Sequence, residues 1–143
     1  MPPDPDAENV VLPSEAELGQ LVRAFYSDAR ADPLLGPIFA AKVSDWDVHI
    51  AKISDFWSSV MLGSGRYKGN PFGAHTSLRE FIGPQHFHRW LSLWGDAARR
   101  TLKPSAAAQI EQKAHRIAES LMAGVLFRPV PSPTRTNPPP LVP

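Results

Sequence analysis

GRYKGNPFGAHTSL, from Gly65 to Leu78, interrupts a chain that reads elsewhere as helix. Its glycines and Pro71 break any helical spacing, and its residues do not alternate as a strand would. It belongs to about twenty residues, from Gly63 to Gly83, with little helical pattern, an unusually long irregular connection for a compact bundle. Inside it stands one imidazole, His75. What the rest of the chain brings against that histidine is therefore the question to settle.

On either side the signals are helical. Ser14 and Glu17 form an S-x-x-E capping box before a helix expected over 15–31, which Asp32-Pro33 ends. Leu18, Leu21, Val22, Phe25 and Ala29 form its apolar stripe. A second helix is expected over 45–62, with Ser44 as cap and Gly63 as stop, and Trp46, Ile50, Ile53, Trp57, Val60 and Met61 on its inner face. Beyond the irregular segment a third is expected over 84–102, carrying Phe87, Trp90, Leu91, Trp94 and Ala98. A fourth, over 104–127, carries Ile110, Ala114, Ile117, Leu121 and Val125. Pro84 and Pro104 suit first-turn positions, where a missing N–H costs nothing. The class is all-α.

The prolines mark the limits of this unit. Of the 16, seven lie from Pro129 onward and four among the first 13 residues. One domain over 14–127 is expected, between disordered tails at 1–13 and 128–143, the second Pro-rich. With 143 residues and 43% hydrophobic content the chain can bury one core. Its net charge of +1, from 15 basic and 14 acidic residues without a run of either sign, gives no footprint for nucleic acid. The absence of cysteine removes thiol nucleophiles and thiolate metal sites, and is compatible with a reducing cytosol. No stretch has the roughly 18 continuous apolar residues of a membrane span, nor is there a basic start followed by an apolar run. A cytoplasmic, soluble protein, a monomer without membrane or nucleic-acid partners, is the expectation.

The five histidines sort by helix face. His88 aligns with Ser92, Asp96 and Arg99, and His115 with Glu111 and Glu119, so both read as solvated; His86 cannot share a metal with His88 two residues away. His49 differs, because Trp46, Ile53, Phe56 and Val60 make the rest of its ridge apolar. The imidazole there is either a core histidine bonded to a carbonyl or a group with a ligand or gating role. No phosphate loop, H-E-x-x-H or G-x-S-x-G frame is present. A small helical domain, inward aromatics and one histidine in a long irregular segment amount to equipment for one haem, which needs a single axial nitrogen and a flat apolar slot.

Several motifs, in order, resemble the truncated haemoglobins, and specifically their group III branch. They are FY at Phe25-Tyr26, LGPIF from Leu35, W-x-x-H-x-x-K-x-x-x-FW from Trp46 to Trp57, Y-x-G-x-P-x-x-x-H from Tyr67 to His75, and HFHRWLSLW from His86. The resemblance implies a shortened globin, a two-over-two helical sandwich around one haem b (iron protoporphyrin IX), with the proximal helix reduced to about one turn inside the irregular segment. It makes His75 the iron ligand, places Phe72 and Leu78 near the porphyrin, and sets Phe39 against the ring. Ile53 and Phe56 join this apolar wall, and Lys52, Arg66 and Tyr67 lie where they could meet the propionates. Tyr26, His49 and Trp90 fall on the distal side, where a phenol or indole hydrogen is a charge-assisted donor to a diatomic ligand that gathers negative charge.

Three functions follow as alternatives: a binding protein for O2, CO and NO at a five-coordinate iron; a haem redox enzyme, peroxidase-like or detoxifying nitric oxide or O2; and a haem-free helical interaction module. The first two share every residue named, so the sequence leaves open whether the protein is an enzyme. The redox role would need an external reductase as partner.

Overall fold

A computed structural model describes residues 11–71, 75 and 81–126, with backbone alone for 125 and 126. Phe72, Leu78, residues 1–10 and the tail after 127 lie outside the described residues. Every regular element among those described is helical.

The first helix, α1, spans Glu15–Ala31. Its capping box forms as the sequence suggests: Ser14 Oγ accepts from Glu17 N–H at 3.1 Å, and Glu17 Oε1 accepts from Ser14 N–H at 2.9 Å. The expected stripe is buried, joined by Tyr26. Just before it, Pro13 is buried and Val11 N–H donates to Ser105 Oγ at 3.5 Å.

A short helix not expected from the sequence, α2, spans Gly36–Lys42 with Pro37 in its first turn. Seven residues are too few for an apolar period to show. The two helices meet backbone to backbone, since a Cβ on Gly36 would lie 2.7 Å from Arg30 O.

The next helix, α3, spans Trp46–Leu62 and is capped by Asp45, whose Oδ1 accepts from Val48 N–H at 3.2 Å. The expected start at 45 and cap at Ser44 are thus displaced by one residue, with Asp45, an equally good capping type, taking the cap position. Gly63 ends α3 in the left-handed region at φ 64°, which favours glycine. Only Trp57 and Met61 of the expected inner face are buried; Trp46, Ile50, Ile53, Phe56 and Val60 are half-covered. The apolar ridge of α3 is thus left partly open.

The last two long helices are α4, Pro84–Thr101, and α5, Pro104–Leu121. Both prolines sit in the first turn as expected, while α4 stops one residue early and α5 gives way at 122–126 to a π-helical turn that contains Gly124. Two pairs of long helices result, α1 with α3 and α4 with α5, and α1 also packs on α4. At the crossing Trp94 stacks between Trp57, at 4.6 Å and 20°, and Trp90, at 6.1 Å and 11°, with Phe25 edge-on to both Trp90 and Trp94. Burying Phe25, Trp57 and Trp94 stabilises the fold by roughly 1.5–3 kcal/mol each.

Candidate functional site

Pro71 and His75 each have helical backbone, and His75 Nδ1 is 2.7 Å from the Pro71 carbonyl oxygen. A carbonyl only accepts, so Nδ1 carries the hydrogen and donates it, which in the neutral ring puts the lone pair on Nε2. The half-buried ring lies 6.4 Å from Phe87, tilted by 32°, which places it beside the start of α4. A proline is well chosen as the acceptor's residue: it has no N–H to satisfy and its φ is fixed.

The approach to His75 is tied down by α3. Ser59 Oγ accepts from Tyr67 N–H at 2.9 Å. The buried Ser58 Oγ donates to Glu15 Oε2 at 2.8 Å and lies 2.7 Å from Ser64 Oγ. Tyr67 stands edge-on to Phe56 at 5.2 Å. It also covers Gly69 so closely that a Cβ there would lie 2.4 Å from its hydroxyl, so a larger residue would push the Tyr67 side chain aside. Arg66 leans on Glu15 at 3.5 Å.

On the other side Tyr26 and His49, 23 positions apart, come together with the phenol oxygen 2.9 Å from His49 Nε2. Burial pushes the Tyr26 phenol above its usual value. Burial, and secondarily the Lys52 charge, push His49 below its own. Both groups are therefore neutral near pH 7, and they share one hydrogen. In one tautomer the phenol O–H donates to Nε2; in the other Nε2–H donates to the phenol oxygen and leaves the phenol hydrogen free. Phe39 and Trp46 close the aromatic box, edge-on to Tyr26 at 5.3 and 5.4 Å. Trp90 is half-buried beside Phe25. The structure thus brings Tyr26, His49 and Phe39 together, and holds Trp90 one ring away.

The remaining histidines behave as their faces suggested. His86 Nδ1 accepts from Gly83 N–H at 2.9 Å and serves as a cap, and His88 and His115 are exposed. No group of three or more His, Cys, Asp or Glu among the described residues could hold a metal ion by itself. One imidazole with a fixed tautomer, and an apolar ridge on Ile53 and Phe56 left half-open, fit a flat cofactor that brings four of its own metal ligands. Lys52 is an exposed cation on that helix.

One residue of consequence was not read from the sequence. Asp32 looked like a helix stop, yet its carboxylate is buried and accepts from Leu34 N–H, Leu35 N–H and Arg89 Nε–H, at 3.0, 3.0 and 2.7 Å. Burial raises its carboxyl, but these bonds and the Arg89 charge outweigh it and hold the group below its usual value. The D-P pair hinted at the local turn. Its partner 57 positions away left no signal.

No protein-family profile matches the chain. It is 36% identical over 110 residues to the group 3 truncated hemoglobin ctb of Campylobacter jejuni, a match covering 73% of this chain and 85% of that protein. The crystal structure of the group III truncated hemoglobin from Campylobacter jejuni superposes with a TM-score of 0.70 at 30% identity, over 78% of this chain and 91% of that one.

Proposed function

Because the chain belongs to the group III truncated haemoglobins, we propose that it binds one haem b through His75 and takes O2, CO and NO on the opposite face, beneath Tyr26, His49 and Trp90. The observation that carries this reading is the 2.7 Å bond from His75 Nδ1 to the Pro71 carbonyl. It holds the ring in the one tautomer whose Nε2 can enter a metal's coordination shell, and a bonded Nδ1–H makes that nitrogen more basic. When bound, haem supplies an iron with one open position for a diatomic ligand.

The chain's own residues do the rest. Phe39, Ile53 and Phe56 cover the ring's apolar faces, with Phe72 and Leu78 assigned to the proximal side. Lys52, Arg66 and Tyr67 are assigned to the propionate edge, Arg66 on loan from its contact with Glu15. Tyr26 offers its hydrogen to the ligand when His49 takes up the tautomer that donates, and Trp90 offers an indole N–H. A hydrogen bond to a charged acceptor is worth about 1.5–3 kcal/mol, and about 1.4 kcal/mol is tenfold in an equilibrium, so two donors favour slow ligand release.

The test is a titration of haem-free protein with haem b, followed by Soret absorbance. Saturation at one equivalent, with much weaker uptake by His75→Ala, is the expected result. No Soret change in the unaltered protein would return it to the haem-free alternative.

A further inference from the structure

We propose that Asp32 is the positioning residue of the distal pocket: from one buried carboxylate it fixes Phe39 on α2 and Trp90 on α4 around Tyr26 on α1. The inference rests on the pocket reading above and adds a residue assigned no contact with cofactor or ligand.

Asp32 uses every polar atom it has. Its N–H donates to Ala29 O at 3.2 Å and its carbonyl accepts from Gly36 N–H at 2.8 Å, so its backbone joins the end of α1 to the start of α2. Oδ2 accepts the N–H groups of Leu34 and Leu35 and so fixes the turn that leads into α2. With Gly36 lying against Arg30 O, α2 has no side-chain cushion and one direction. That direction brings Phe39 to 5.3 Å from Tyr26.

Oδ1 reaches the third wall, accepting from Arg89 Nε–H at 2.7 Å. Arg89 immediately precedes Trp90, whose ring meets Phe25, the neighbour of Tyr26, at 6.2 Å. A second pair, Arg100 with Asp28, spans the same helices, so α1 and α4 run antiparallel with two ties. The pairs differ in burial. Asp28 and Arg100 are both substantially exposed, whereas the Asp32 side chain, paired with a half-exposed Arg89, is itself only 2% exposed. Exposed pairs contribute little, while a buried carboxylate must keep its partners, so the Asp32 tie sets the register. A slip of one turn would carry Trp90 about 5.4 Å from its place.

The experiment compares Arg89→Met with Arg89→Gln, and adds Asp32→Asn. Glutamine can set an N–H where arginine has Nε and keep the bond without the charge; methionine fills similar space with no donor. Asp32→Asn can still accept from the turn but turns a donor toward Arg89. Each variant is read in three ways: the indole N–H resonance of Trp90 in haem-free protein, the C–O stretch of the haem-loaded protein with CO, and the O2 release rate. Arg89→Met and Asp32→Asn are expected to move the resonance, to shift the stretch in the direction that Trp90→Phe shifts it, and to speed release by about three- to tenfold. Arg89→Gln is expected to stay near the unaltered protein in all three. If Arg89→Met lowers the melting temperature but leaves all three readings unchanged while Trp90→Phe shifts the stretch, Asp32 is a fold anchor only. If Trp90→Phe itself leaves the stretch unmoved, the pocket reading fails and the proposal with it. Should Asp32→Asn not fold, the Arg89 pair decides alone.

Discussion

His49 and Tyr26 hold a single hydrogen between them, and we propose that the imidazole acts as a gate as well as a neighbour. His49→Leu removes the partner of the buried phenol and leaves an apolar side chain that cannot swing toward water. We expect it to change the CO association rate, measured by stopped flow, more than CO retention; an unchanged association rate would remove His49 from that role. Acidity should act on the same residue. His49 is held below its ordinary value of 6.5, so the native state binds fewer protons than the unfolded chain. Its contribution to stability is full above 6.5 and is lost as pH falls through its lower native value. Thermal unfolding between pH 7 and 5 should therefore fall off less steeply in His49→Leu, and equal slopes would show that the imidazole is not buried as described. Tyr26→Phe and Trp90→Phe remove one donor hydrogen each, and each should speed O2 release by about tenfold. The double variant should fall short of the product, because donors to one small ligand are coupled. At this scale the sequence singles out a residue that differs from its own surroundings, as His75 does in a glycine-rich loop and His49 on an apolar ridge. The bond between His49 and Tyr26, and the buried Asp32 pair, depend on a partner far along the chain and leave no local trace.

Elements show the same division. Helix ends written in adjacent residues were readable: the Ser14 and Glu17 box, the left-handed Gly63, and Pro84 and Pro104 in their first turns. The start of α3 was not, because Ser44 and Asp45 are both good caps and only the path of the chain chooses between them. Here a direct check exists. Asp45→Ala should lower stability by about 1 kcal/mol, as a shifted urea midpoint at unchanged slope, and Ser44→Ala should stay within about 0.5 kcal/mol. Equal effects would mean that α3 frays between two starts. The short α2 escaped notice because it is held by Asp32 and the Gly36 contact more than by its own pattern, and the π-helical turn after α5 follows from no residue signal we can name.

Across the whole molecule the two-over-two arrangement leaves α3's apolar ridge half-covered, and we propose that a cofactor completes it. No described helix is long and apolar enough to cross a membrane. Inward aromatics announced a helical core, yet their stacking of Trp57, Trp94 and Trp90 across two helices was visible only once the helices were paired. The central claim is that His75 delivers the one protein ligand to a haem iron. Resonance Raman spectroscopy of the ferrous, ligand-free, haem-loaded protein tests it most directly. The account predicts an iron–histidine stretch that disappears in His75→Ala and is replaced by an iron–imidazole mode when imidazole is added. A stretch that survives the loss of His75, or that is missing from the unaltered protein, would contradict it.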